Sequence, residues 1–183
     1  MNHMLAVAAT IFALSIAQPA SAADLATIDC ITNGLDASMR QTLAADAKKL
    51  VRGEANGDFD DATKVKFKAL SHKCQAQFGW SEKARSASEV YNISGSYISE
   101  YEAALRDDGL DVAKVETVIR NLPPAQFAAL SREPMPESAA RAVLSALASA
   151  NITVETRTKA SHVGALGAVM SVMESSKAEF ATS

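Results

Sequence analysis

Few residue types in this 183-residue chain could ligate a metal or attack a bond: it has two cysteines and three histidines. Cys30 and Cys74 lack the Cys-x-x-Cys spacing of a dithiol redox site and the Cys-x-x-Cys-His of covalent haem attachment. In an exported chain such an even pair reads as a structural disulfide, the alternative being two reactive thiols. His72 stands two residues from Cys74, which places the two about 200° apart around a helix and denies them a common metal. His162 adds a second imidazole, but a site needs a third ligand, and His-Glu-x-x-His is absent. Surface or packing roles are expected for both histidines, with no metal and no cofactor.

Carboxylates give no clearer signal. Asn56-Gly57-Asp58-Phe59-Asp60-Asp61 looks calcium-like, yet in EF-hand register Phe59 falls where glycine belongs and Val65 where the bidentate glutamate belongs. This stretch and Asp107-Asp108-Gly109 read instead as turns and helix N-caps, whose carboxylates accept backbone N–H bonds. Glu100 and Glu102 are two apart, on different faces of a helix, and make no evident acid–base dyad. Gly-x-Ser-x-Gly, Ser-x-x-Lys, P-loop and dinucleotide-binding glycine patterns are absent. Asn92-Ile93-Ser94 and Asn151-Ile152-Thr153 match glycosylation sequons, and both have local helix explanations.

The compartment is easier to read. Leu5–Ile16 is an uncharged, mostly apolar run, broken by Pro19 and followed by Ala20-Ser21-Ala22, which has small residues where signal peptidase needs them. The run is shorter than the ~20 residues of a membrane-spanning helix. Residues 1–22 therefore read as a signal peptide that is removed, and 23–183 as an exported domain, periplasmic or secreted. The leader departs from pattern in having no Lys or Arg before its apolar run. No later apolar run approaches ~18 residues, so no membrane anchor is expected after cleavage. The 48% apolar content thus divides into a disposable leader and an alanine-rich scaffold. Collagen, disulfide-dense and wholly disordered chains are excluded.

Almost every segment of the mature chain carries helical periodicity, and no strand-length alternation occurs. A short helix should carry Ile28 and Ile31 beside Cys30. Asp36 should cap a helix bearing Met39, Leu43, Ala47 and Leu50, stopped by Gly53. A helix from Asp58 or Asp60 should place Phe67, Leu70, Cys74 and Phe78 on one stripe, with Gly79 as its stop. Ser81 should cap the longest pattern, Ala84, Ala87, Tyr91, Ser94, Ile98, Tyr101 and Leu105, in which Ser94-Gly95-Ser96 marks a close helix approach or a kink. After Gly109, Asp111 should cap a helix with Val115 and Ile119. Pro124 should open one with Phe127 and Leu130, residues 137–149 should carry Ala140, Val143, Leu144 and Leu147, and Thr153 should cap the last, with Val163, Leu166, Met170, Met173 and Phe180 on its seam. The expectation is an all-α, single-domain bundle of about eight helices with one disulfide and a possible sub-bundle seam near 107–111.

Charge adds little. The net of −3 divides into −2 over residues 24–35, +3 over 36–85 and −4 over 86–183. Lys64, Lys66, Lys68 and Lys73 read as a solvated helix face, and nucleic acid is disfavoured by sign and compartment. Trp80, which with Gly79 and Ser81 joins two helices six residues past Cys74, reads chiefly as packing beside the disulfide.

Cys74-x-x-x-Phe78-Gly79-Trp80-Ser81, followed by Ala84, Ala87 and Tyr91, is similar to a pattern in small exported helical proteins of Gram-negative bacteria. That family has no assigned activity. The resemblance covers about residues 25–105, implies export, helicity and the disulfide, and transfers no functional residue. In size, export and helicity alone the chain also resembles periplasmic immunity proteins that neutralise cell-wall toxins. The functional expectation is non-enzymatic: protein–protein interaction in the cell envelope, or a structural or stress role, through an apolar surface drawing on Trp80, Tyr97 or Phe127. One alternative is a small envelope hydrolase in which His72 or His162 meets a carboxylate or serine in a pocket. Another is an immunity- or chaperone-like protein.

Overall fold

Helix starts in this chain are set by short polar side chains that satisfy the first free backbone N–H groups. In the computed structural model, which describes residues 22–54 and 59–183, four helices begin where such residues stood in the sequence. Asp36, Asp60, Ser81 and Asp111 accept the N–H of Met39, Thr63, Ala84 and Lys114 respectively. Apart from Ala22, the leader lies outside the described residues, as do residues 55–58 of the acidic loop.

Among the described residues a 3-10 turn at Leu25–Thr27 is followed by eight helices: α1 Cys30–Gly34, α2 Ala37–Val51, α3 Asp61–Phe78, α4 Glu82–Asp107, α5 Val112–Arg120, α6 Pro124–Ala129, α7 Glu137–Ser149 and α8 Arg157–Ala181. No strand occurs among the described residues. None of these helices is long and apolar enough to cross a membrane.

Two long helices, α4 of 26 residues and α8 of 25, pack antiparallel along most of their length. Trp80, just before α4, meets Phe180 edge-on at 5.1 Å. Gly95 lies against Met173 midway, and Asp108 reaches His162 at the far end. Helix α4 is continuous through Ser94-Gly95-Ser96, so the small residues serve close approach rather than a kink. Gly167 does the same on α8: a Cβ there would sit 3.0 Å from Leu130 Cδ1.

The buried apolar residues form two clusters, one around Tyr101, Leu105, Ile119, Leu147 and Leu166, the other around Ile31, Leu43, Phe67, Trp80 and Phe180. Because α4 and α8 enter both, the turn at 107–111 does not divide one core from the other. Cys30 and Cys74 are bonded, stapling α1 to α3 across 44 residues.

Three expected positions shift. Phe78 is 42% exposed instead of lying on the α3 stripe. Gly79 at φ 67° turns the chain, so Trp80 takes the buried place and Phe78 stacks on its outer side at 5.8 Å. Leu144 is exposed on α7, where Ala139 is buried with Val143 and Leu147. Helix α8 is capped by Thr156, not Thr153. Asn151 at φ 58° turns the chain out of α7, and the Ile152 N–H closes on the Leu147 carbonyl. That bond accompanies burial of Ile152 and leaves residues 153–155 outside any helix.

Polar hubs join the N-terminal helices to α4. The Asn92 Oδ1 accepts from the Thr32 N–H at 3.0 Å and the Thr32 hydroxyl at 2.5 Å, while its Nδ2 donates to the Ile28 carbonyl at 2.8 Å. Arg85, also buried, is paired with Glu82 and Glu89 and donates to Ser71 on α3 at 3.3 Å. Asn92→Ala would leave the Thr32 N–H and Ile28 carbonyl without this partner. It is expected to lower the unfolding free energy by about 2–3 kcal/mol in urea titration. A loss under about 0.5 kcal/mol would show that the hub does not hold α1 to α4.

Candidate functional site

Antiparallel packing of α4 and α8 brings together residues 54 apart in sequence, His162 and Asp108. The Nδ1 of His162 lies 2.8 Å from Asp108 Oδ2, with the side chains 16% and 19% exposed. Asp108 is the C-cap of α4, and Gly109 at φ 77° turns the chain away beyond it. The expected turn role therefore holds for the backbone, while the carboxylate serves a neighbouring helix instead of capping one.

The pair lines a cleft of about 720 Å³. Its walls are the end of α2 and its C-cap (Lys48, Val51, Arg52), the last turns of α4 and its C-cap (Glu100, Ala103, Ala104, Asp107, Asp108) and the start of α8 (Thr158, His162). Carboxylate on Nδ1 orients the imidazole and leaves Nε2 for a ligand or substrate, which is the orienting half of a nucleophilic triad. The remaining member would be a hydroxyl or thiol hydrogen-bonded to the ring. Among the described residues Asp108 is the hydrogen-bond partner of His162, and Thr158, one turn earlier, supplies a hydroxyl to the same cleft.

His72 does not join His162. It is exposed on α3, with Nδ1 3.3 Å from the Gln75 side-chain oxygen. No group of three or more His, Cys, Asp or Glu able to hold a metal occurs among the described residues. The α3 lysines are exposed, and Lys64 lies 3.7 Å from Asp61.

The expected aromatic surface does not form. Trp80 is 5% exposed, its Nε1 donating to the Thr27 hydroxyl at 3.0 Å. Tyr97 is 9% exposed and stacks on Phe59 at 6.2 Å. Burial, reinforced by the Asp46 carboxylate, pushes its hydroxyl up to about 12. Phe127 is half-buried against the C-terminal cluster. These rings fill a core short of large aliphatic residues, so they are spent on packing. The exposed large apolar residues Leu25, Val65, Phe78, Val90 and Leu144 belong to different elements or opposite ends of one helix.

A second cleft, about 310 Å³ and mostly apolar, lies where α1, α2, α4 and α8 meet, with Leu35, Leu43, Tyr91 and Met173 in its wall and Asp29 and Arg40 beside them. Arg40 is already committed, donating from Nε and Nη2 to the Leu35 carbonyl at 3.1 and 2.9 Å.

Glu100 and Glu102 diverge, as their spacing requires. Glu100 enters the His162 cleft, whereas Glu102 meets Glu116 of α5. Partial burial, then the Glu102 charge and a hydrogen bond to it, raise the Glu116 carboxyl above its ordinary 4.5.

No protein-family model, curated protein or solved structure matches the chain.

Two measurements test these assignments. A double-mutant cycle on His162→Ala and Asp108→Ala should give a coupling of about 1 kcal/mol or more. Strict additivity would mean that the pair does not tie α8 to α4. Glu116→Gln should raise Tm at pH 7. A carboxyl raised in the folded state binds its proton more tightly there, so the native protein loses stability as pH rises through the folded value. The variant should flatten that slope just above pH 4.5, and an unchanged pH profile would contradict the Glu102–Glu116 assignment.

Proposed function

We propose that the chain is exported to the periplasm or the medium and works there as a disulfide-stapled helical binding protein rather than as an enzyme. The observation that carries this reading is the Cys30–Cys74 bond, which joins α1 to α3 in a chain whose first 22 residues have the composition of a cleavable leader. An oxidising compartment sustains such a bond, whereas cytosolic thiols stay reduced. Closing a loop of 44 residues contributes roughly 4 kcal/mol in the chain-entropy model, a large share of the stability of a small domain. Binding is favoured over turnover because the imidazole of the cleft is held by Asp108 and hydrogen-bonds no hydroxyl or thiol among the described residues. The likeness to small exported helical proteins without assigned activity agrees with this reading. A protein of the cell envelope is the partner class proposed for it.

A second reading rests on the same imidazole. His162, Asp108 and Thr158 line one cleft, the composition a small envelope hydrolase would need.

Intact mass of the protein recovered from the periplasmic fraction tests the first reading. The expected species begins at Ala23 and is two hydrogen atoms lighter than the reduced chain. A cytoplasmic chain retaining residues 1–22 with free thiols would overturn it. A fluorophosphonate probe separates binding from hydrolysis. No labelling is expected, and labelling of Thr158 that disappears in His162→Ala would establish the hydrolase instead.

A further inference from the structure

The cleft at the end of α4 carries opposed charges that do not meet. Lys48 and Arg52 are four apart, on one face of the C-terminal end of α2. Glu100 and Asp107 are seven apart, on one face of α4. All four line the same space, and no ion pair within 4.0 Å joins any of them to a partner among the described residues. Neighbouring residues on the same helices do pair: Lys49 with Asp46 at 3.3 Å, and Arg106 with Glu102 at 3.6 Å. Two cations from the end of α2 and two carboxylates from α4 therefore line one cleft without pairing with each other.

The third carboxylate on the α4 side is already spoken for. Asp108 bonds His162, leaving two free carboxylates opposite two free cations. A site balanced in that way favours a ligand that is neutral overall but carries separated charges. A simple cation would meet Lys48 and Arg52, and a simple anion would meet Glu100 and Asp107. The same lining includes small apolar residues, Val51, Ala103 and Ala104. At about 720 Å³ the space falls within the usual range for small-molecule sites.

We propose that this cleft binds a small zwitterion, an amino acid or short peptide. Its carboxylate lies against Lys48 and Arg52, and its ammonium against one of the two carboxylates, Glu100 or Asp107, which stand about 10 Å apart along α4. The inference rests on the binding reading above and adds a small-molecule ligand to the protein partner proposed there. Charge-assisted bonds at both ends supply recognition, since either end alone is a solvent-exposed ion pair of small worth.

The probe is L-alanyl-L-alanine, titrated into the oxidised protein and followed by amide NMR shifts. Its N-acetyl form and its methyl ester serve as half-blocked controls. Saturable shifts are expected at Lys48, Arg52, Asp107 and Thr158, with each half-blocked form binding at least about tenfold more weakly. Arg52→Gln and Asp107→Asn, both surface changes, should each weaken binding about fivefold or more at unchanged Tm. The inference is overturned if no saturable shift occurs by about 20 mM dipeptide, far weaker than a millimolar site would show. It is equally overturned if the half-blocked forms bind as tightly as the dipeptide, or if the shifts map elsewhere. Failure here with a periplasmic, disulfide-bonded chain would remove the ligand class and leave the exported-protein reading intact. Dipeptide binding by a cytoplasmic, reduced chain would do the reverse.

Discussion

Antiparallel contact between α4 and α8 is the constraint on which the remaining structure depends. Its two ends are chemically different. At one, Trp80 meets Phe180 edge-on inside the cluster that also holds Cys74. At the other, Asp108 meets His162 at the mouth of a charged cleft. Helices α5, α6 and α7 pack on the C-terminal cluster and α1 to α3 mainly on the other, so each group has a face of the same central pair to bury against. Small residues make the packing on α8 close: Gly95 of α4 admits Met173 of α8, and Gly167 of α8 admits Leu130 at the end of α6. Dispersion depends steeply on distance, so this fit compensates for a core in which alanine replaces larger side chains at Ala47, Ala84, Ala87 and Ala139.

The N-terminal helices are secured differently. Helix α1 has five residues, too few to be stable alone, and buries Ile31 as its largest apolar contribution. It is held by the bond from Cys30 to Cys74 and by Asn92, which satisfies Thr32 and the Ile28 carbonyl. Arg85 makes the corresponding tie to α3 through Ser71. No buried side-chain nitrogen or oxygen among the described residues lacks a hydrogen-bond partner. Buried polar groups with complete partners specify one arrangement where apolar contact alone would tolerate several.

Local chemistry was legible in the sequence; pairing between distant segments was not. Asp36, Asp60, Ser81 and Asp111 could be read as caps because a cap bonds a backbone N–H three residues on. The disulfide was legible because two cysteines allow one pairing. Thr156 was missed in favour of Thr153 because the choice depends on Ile152 closing α7, a contact that hydrophobic periodicity does not report. Arg85 and Asn92 carry no apolar signal, so their burial follows only from which helix faces them. Asp108 looked like a turn residue and His162 like an isolated imidazole, and only the α4–α8 register makes them neighbours. The aromatic patch expected from Trp80 and Tyr97 failed for a related reason: rings are the largest apolar payload in a chain poor in large aliphatics, and the core claims them first.

The cleft inherits its geometry from packing that has nothing to do with ligand. Ala47 is fully buried, one residue before Lys48, and Leu50 and Val51 pack against the same cluster. Phe59 closes over this region by stacking on Tyr97. The end of α2 is therefore fixed against α4 by apolar contact, and Lys48 and Arg52 take their places as a consequence. On the other side Leu105 is fully buried, which turns Asp107 and Asp108 to their faces of the last turn. The backbones of α2 and α4 are thus held apart by their buried residues at a spacing that leaves the surface charges unpaired. A surface ion pair is too weak to pull against a packed core. The unmet charges are in this sense a product of core packing, and a ligand that spans them finds its partners already in position without the core having to move.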